Sequence, residues 1–345
     1  MSRPLLLTAL FTASMTGAVA SAASIITLPS AVTSALTVGS TVSDAQAGLA
    51  SAASNLKAVQ ADPSTLASAL LLAQQVYALA QAQLVQARLT AMQNAVNAFT
   101  TLSQTQAQID QQGFQLQVDQ KSLQVAQVQL STRNGTALNV QNAQNTLATS
   151  RQTLAAAEAQ LTVNSQKLAN VIGKPGSYIA SAPPAPPAVR PNTPLSAGYP
   201  ALLKDKQAVD AAALAVSLAD NDFTARITLD QTRVSLANAQ STLATDEKTF
   251  LTTLASAQSA ATAAQASYHT AIQAEANAQA SYRQDTVRLQ SGTISQVALL
   301  QSQLTLKKTQ SARAQALVTL WQALAALSAA AGTDVTGLIP RGGQR

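Results

Sequence analysis

The stretch Gln279–Gly332, QASYRQDTVRLQSGTISQVALLQSQLTLKKTQSARAQALVTLWQALAALSAAAG, decides how the chain reads. It predicts two long helices meeting at a tight turn on Gly292, because glycine has no Cβ to forbid the positive φ of a sharp reversal. Nothing else in it breaks a helix, and proline is absent from Ala201 to Ile339. An earlier stretch answers it: Leu130–Leu147 reads LSTRNGTALNVQNAQNTL, and Val287–Leu304 reads VRLQSGTISQVALLQSQL. Gly135 and Thr136 align with Gly292 and Thr293, Val140 with Val297, Gln144 with Gln301 and Leu147 with Leu304, a spacing of 157 (292 − 135). Two copies of one hairpin make a repeat architecture.

The helices on either side carry a coiled-coil seam. Leu102, Ile109, Leu116, Leu123 and Leu130 recur at every seventh position, as do Val140, Leu147, Leu154, Leu161 and Leu168 after the turn. Gly173-Lys174-Pro175-Gly176 ends that run with a glycine cap and a proline beyond it. Upstream, Ser30–Gln60 predicts one helix with Ser30 as its N-cap, weakened by Gly39 and Gly48, and Asp62-Pro63-Ser64 predicts a break. The second half repeats the plan: a helix over Ala201–Asp222, a break near Asp220–Phe223, a long helix to Ser291, the Gly292 turn, and a helix ending at Ala331-Gly332.

Composition fits long, closely packed helices rather than a globular core. Hydrophobic residues make up 47% of the chain but aromatics only 3%, so the apolar share is mostly Ala, Leu and Val. Only 10% is charged, so Gln, Asn, Ser and Thr supply the polar faces. The net charge of +6 is unclustered and has no aromatic interleaving, which argues against nucleic acid as a partner. With no Cys there is no disulfide, no thiolate metal site and no lipidated N-terminal cysteine. The one histidine, His269, sits in an Ala/Gln helix and reads as a solvated face. No catalytic triad, metal motif or phosphate loop is present, so the reading is of a protein that is not an enzyme and carries no cofactor.

Residues 1–20 read as a secretory signal: Arg3, an apolar stretch from Leu5 to Val19, and a small-residue cleavage site at Ala18-Val19-Ala20, with Ala20-Ser21-Ala22 as an alternative. No other run is apolar enough over about 18 residues to predict a membrane-spanning helix. Residues 21–174 form the first repeat, 175–200 a proline-rich linker, 201–332 the second repeat and 333–345 a frayed tail. Seven of the chain's 12 prolines fall between Ala182 and Pro200, so that segment is either an extended strap over the surface or plainly disordered.

Tyr282, Arg288, Leu289, Gly292, Thr293, Ser295, Leu299, Leu300 and Gln303 together resemble the second periplasmic hairpin of the TolC-like outer membrane efflux proteins. The stretch around Gly135 resembles that family's first hairpin, and Thr27–Leu36 (TLPSAVTSAL) its N-terminal start. The resemblance implies a predominantly all-α fold: long antiparallel coiled-coil helices, in two tandem repeats, closing a helical barrel. It implies a homo-oligomer, a trimer by analogy, that acts as the passive channel component of a tripartite efflux or type I secretion system. Its partners would be a periplasmic adaptor and an inner-membrane pump, and its place the outer membrane and periplasm. The adaptor-contact tips would be Arg133, Asn134, Gly135 and Thr136 in the first hairpin and Ser291, Gly292, Thr293 and Ser295 in the second. Thr136, Thr293 and Ser295 read either as hydroxyls for a partner or only as caps of the next helix.

The family also places a β-hairpin between the short and long helix of each half, and here the arithmetic opposes it. Break to turn is 72 residues (135 − 63) in the first half and 69 (292 − 223) in the second, which helices alone fill. A membrane strand needs about 9–11 alternating residues, and the one candidate, Phe223–Leu229, reads better as the first turns of a helix. An envelope-spanning coiled coil that conducts nothing is therefore the competing expectation.

Overall fold

The computed structural model describes residues 24–196 and 198–340. The predicted secretory segment and the last five residues of the predicted tail lie outside the described residues. The elements in chain order are β1 (Ser24–Ile26), α1 (Leu28–Val38), α2 (Ser40–Ala61), α3 (Ala67–Ser131), α4 (Ala137–Ile172), β2 (Tyr178–Ala180), α5 (Pro200–Ala219), α6 (Arg226–Gln290) and α7 (Gln296–Ala331). Helix accounts for 81% of the described residues, far above the third or so of an ordinary globular domain.

The two longest helices, α3 and α6, have 65 residues each, about 98 Å at 1.5 Å per residue. Each is too long to be covered by one partner. Helices α2 and α4 cover successive lengths of α3, and α5 and α7 do the same for α6. The two halves meet through α3 and α7, which run antiparallel: Gln104 bonds Gln315, and Gln322 Nε2 donates to Thr100 Oγ1 at 3.2 Å. Across the far end, Gln207 Nε2 of α5 donates to Gln75 O of α3 at 2.9 Å. Gln75 lies eight residues after the start of α3 (75 − 67) and Gln207 twelve before the end of α5 (219 − 207). At 1.5 Å per residue the two breaks therefore lie within about 6 Å of the same level along the rod.

The core sits at mid-length, where the most elements converge. Leu28, Val32, Met92, Val96, Phe99, Leu102, Leu168, Ile172 and Trp321 are fully or almost fully buried there. Parallel strands β1 and β2 tie the segment before α1 to the segment after α4, with Ser24 opposite Tyr178 and Ile26 opposite Ala180. The proline-rich segment is an ordered strap. Trp321 Nε1 donates to Pro184 O at 3.2 Å, Val189 N to Gln265 Oε1 at 3.1 Å, and Gln258 Nε2 to Arg190 O at 2.8 Å. Contrary to the sequence expectation, helix α7 is apolar enough over 18 residues to cross a membrane by length and composition, but half of that window is buried within the chain. Its apolarity thus belongs to the core.

Several sequence expectations need correction. The predicted helix over Ser30–Gln60 is two helices, broken at the extended Gly39. Its N-cap is Thr27, whose hydroxyl accepts from Ser30 N at 3.4 Å, with Pro29 in the first turn where its missing N–H costs nothing. The tail is held as far as Ile339. Asp334 Oδ1 accepts from Thr336 N and Gly337 N at 2.8 and 3.1 Å, and Oδ2 accepts from Ile339 N at 2.9 Å. Leu338 and Ile339 pack on the core. The seam is only partly interior: Leu102, Leu147 and Leu168 are buried, Ile109, Leu116 and Leu123 half-buried, and Leu130 exposed. Phe223–Leu229 forms no strand, as expected, but the helix begins only at Arg226. The second half of that segment is the first turn of α6, as the loss of alternation at Asp230 implied.

Candidate functional site: the paired hairpin tips

The two tips are equivalent structures at a spacing of 159, not the 157 of the Gly-Thr alignment. Helices α3 and α6 begin and end 159 apart (226 − 67, 290 − 131), and so do α4 and α7 (296 − 137, 331 − 172). The same offset relates the breaks, where Ser64 N donates to Asp62 Oδ1 and Phe223 N to Asn221 Oδ1, each at 2.9 Å. In this register Arg133 pairs with Gly292, Asn134 with Thr293 and Thr136 with Ser295.

Each turn ends its long helix in a Schellman motif. Asn134 N donates to Gln129 O at 2.8 Å and Arg133 N to Leu130 O at 3.1 Å; Thr293 N donates to Arg288 O at 2.9 Å and Gly292 N to Leu289 O at 3.0 Å. The left-handed residue this motif needs is Arg133 (φ 60°) in one tip and Gly292 (φ 71°) in the other. Gly135 does different work from Gly292. Its φ is ordinary, but a Cβ there would stand 3.0 Å from Gln129 Cβ and 3.3 Å from Gln129 C, whereas open space surrounds Gly292. One glycine is needed for room, the other for its backbone angle.

Of the three predicted hydroxyls, two are helix caps. Thr136 Oγ1 accepts from Asn139 N and Ser295 Oγ from Ala298 N, both at 3.2 Å. Thr293 instead closes the preceding helix: its Oγ1 donates to Arg288 O at 2.9 Å and lies 3.3 Å from Ser291 Oγ, which also donates to Arg288 O at 3.0 Å. Seven of the eight predicted tip residues are exposed and Gly135 is half-buried.

The structure brings the two tips side by side at one end of the rod. The last turns of α3 and the first of α7 enclose a groove of about 290 Å³ lined by Lys121, Val125, Val128, Gln129, Val297 and Leu300. Sequence reasoning missed these groove residues. The available signal was the exposed valines, Val128 and Val297, flanking two glycine turns. Arg288, named from sequence only as part of the family pattern, pairs with Asp285 at 3.4 Å and lends its carbonyl to three donors. Arg133 has no ion-pair partner among the described residues. The tips thus offer a guanidinium with no ion pair among the described residues and exposed hydroxyls already engaged in the turns, beside a small apolar groove.

No protein-family model matches the chain, and no curated protein does. Solved structures match over most of its length. VceC, an outer membrane protein of Vibrio cholerae, is 16% identical with a TM-score of 0.63, covering 89% of this chain and 96% of its own. The CmeC outer membrane channel of Campylobacter jejuni is 10% identical with a TM-score of 0.65, covering 88% and 85%. CusC, whose structures concern transmembrane channel formation, is 14% identical with a TM-score of 0.62, covering 89% and 96%. The chain has the fold of the TolC-like outer membrane efflux channels, at a sequence distance where the likeness speaks of fold alone.

Proposed function

We propose that the chain is the passive channel component of a tripartite efflux or type I secretion system, exported to the periplasm and outer membrane. Several copies, three by analogy, close its helices into a hollow barrel. A periplasmic adaptor meets the tips, and an inner-membrane pump supplies the energy. The observation that carries this reading is the pair of equivalent hairpins presenting both tips at one end of a rod about 98 Å long. The surface supports an oligomer: the chain exposes 21250 Å², against about 13,000 Å² for a compact monomer of its mass. Half-buried seam residues and exposed apolar ones such as Val234 and Leu251 supply contacts for a neighbouring copy. The Gln-, Ser- and Thr-rich helix faces would line a wet bore.

Electron microscopy of the purified oligomer tests the reading. A hollow tube is expected; a solid rod or a monomer overturns it. The competing reading, an envelope tether that conducts nothing, draws on one observation. The breaks hold only five residues in the first half (62–66) and six in the second (220–225), with no strand in either. Stepwise conductance across planar bilayers favours the channel, and a hollow but silent particle favours the tether.

A further inference from the structure

The α3–α4 hairpin carries a polar pocket of about 430 Å³ at mid-length. Asn94 and Asn97 of α3 line it together with Lys167 and Asn170 of α4, and Ala98 and Val171 add apolar contact. Helical phase sets the side on which it opens. Phe99 is buried in the core with Leu28 and Val32 of α1, and Asn97 and Thr101, two residues to either side, lie about 200° around α3 from it. Ser165 Oγ accepts from Tyr178 N of β2 at 2.7 Å, and Lys167, two residues on, lies about 200° around α4 from it. Both walls therefore belong to the face that α1 and the β1–β2 sheet leave bare.

The fold does not require these polar residues. At the offset of 159, Asn94, Asn97, Lys167 and Asn170 become Thr253, Ser256, Ala326 and Ala329, so the second hairpin is built without them. Nor is the lysine spent on structure: its ammonium has no ion pair among the described residues. Asn97 is bonded through its backbone carbonyl, which accepts from Thr100 Oγ1 and Thr101 Oγ1 at 3.2 and 2.7 Å, and its amide is left for a ligand. Buried Asn164, which also lines the pocket, is held from both sides. Gln160 Nε2 donates to its Oδ1 at 3.0 Å, and its Nδ2 donates to Thr105 Oγ1.

Charge selects the ligand. Lys167 lies 30 residues after the start of α4 (167 − 137), level with Thr101 of α3, Ala260 of α6 and Ala326 of α7 (131 − 30, 290 − 30, 296 + 30). Within five residues of that level it is the only charged side chain on these four helices. Five residues span about 7.5 Å of helix, close to the Debye length of about 8 Å at physiological salt. No carboxylate on the hairpins neutralises it.

We propose that this pocket binds small hydroxylated monocarboxylates. Lys167 takes the carboxylate, the asparagine amides donate to it and accept from the ligand's hydroxyls, and Ala98 and Val171 face its carbon chain. One ammonium, without an arginine fork or a nest of backbone N–H groups, suits a single negative charge better than a phosphate. The volume lies within the range of small-molecule sites. In the barrel of the proposed channel the bare face is the bore wall, so anionic solutes meet the pocket on their way through. That placement rests on the channel reading, whereas the binding does not.

The test is ligand-observed NMR titration of the full chain with gluconate, neutral glucose and glucose 6-phosphate. Gluconate is expected to bind, and the other two to bind at least about tenfold more weakly. Lys167→Gln is expected to weaken gluconate about tenfold or more and Lys167→Arg to retain it, both at unchanged helix content, since glutamine and arginine are good helix formers. Wild-type protein that takes up no gluconate, glucose that binds equally well, glucose 6-phosphate that binds more tightly, or gluconate binding unchanged in Lys167→Gln each overturns the proposal. A hollow, conducting particle that binds no gluconate overturns this proposal and leaves the channel reading standing; a solid particle that binds it does the reverse.

Discussion

Arg133 and Gly292 hold the same position in two equivalent turns, 159 residues apart, and each is the left-handed residue that ends a 65-residue helix. Only one of them is a glycine. A residue with a Cβ in this conformation costs about 1–2 kcal/mol, so the first turn stores strain that the second does not.

The two turns should therefore respond oppositely to exchange. Gly292→Ala is expected to destabilise the chain by about 1 kcal/mol, although space around it is open. Arg133→Gly is expected to be neutral or stabilising by less than about 1 kcal/mol, since relief of strain is partly offset by a more flexible unfolded chain. Urea unfolding followed by circular dichroism measures both. A loss of stability in Arg133→Gly larger than in Gly292→Ala would show that the Arg133 side chain holds the turn.

The long helices and both turns were legible because their signals are local and uninterrupted: seven-residue seams, no proline, then glycine. The repeat register was not. The Gly-Thr pair invites a spacing of 157, but Gly135 is present because Gln129 crowds it, while the left-handed position fell to an arginine that no propensity would nominate. The held tail depends in part on the packing of Leu338 and Ile339 against the distant core. Asp334 organises the tail by binding backbone amides, and nothing in its sequence neighbourhood advertises that. At the tips, Thr293 does not cap the next helix, one of the two roles its position suggested, because an ordinary N-cap and the close of a Schellman turn look alike in sequence.

The two hairpins solve one buried position differently. In the first, Asn164 Nδ2 donates to Thr105 Oγ1 at 2.8 Å, with both side chains buried. In the second, Ala264 and Ala323 occupy the equivalent sites (105 + 159, 164 + 159). Asn164→Ala should cost about 1–3 kcal/mol, because Thr105 loses a donor in a dry site. Adding Thr105→Ala should cost little more, since it copies the second hairpin. Thermal unfolding of the double-mutant cycle measures the coupling, and strictly additive losses would show that the bond contributes nothing.

Asp205 of α5 faces Asp246 of α6, and burial, followed by the neighbouring charge and hydrogen bond of Asp246, pushes its carboxyl above the usual carboxylate range, with Lys204 opposing. Asp205 Oδ2 is shut from solvent and finds no donor unless one of the two acids is protonated. A raised folded-state value means that the folded chain holds this proton more tightly than the unfolded chain. The resulting stability is present below the unfolded value and is lost as pH rises through the folded one. Asp205→Asn mimics the protonated acid, so its melting temperature should exceed wild type near neutral pH and converge with it in acid. A gap independent of pH would assign the effect to packing.

The tips can be tested without disturbing the turns, because the structure says which substitutions each position tolerates. Ser295 caps α7, and aspartate caps as well as serine, so Ser295→Asp should preserve the bond from Ala298 N. Thr293 must donate to Arg288 O, which aspartate cannot do at neutral pH but asparagine can; the first tip already carries Asn134 at the equivalent place. The double variant Thr293→Asn with Ser295→Asp should thus keep stability within about 0.5 kcal/mol. It removes both hydroxyls from the exposed apex and adds a negative charge there. If the tips meet an adaptor, its affinity should fall about tenfold or more, a difference of at least about 1.4 kcal/mol, and export should fall with it. Titration of the adaptor against wild type and variant, with melting curves for both, reads the two effects separately. Unchanged affinity and export at unchanged stability would reduce the second tip to a turn and move the partner surface to the groove around Val125, Val128 and Val297.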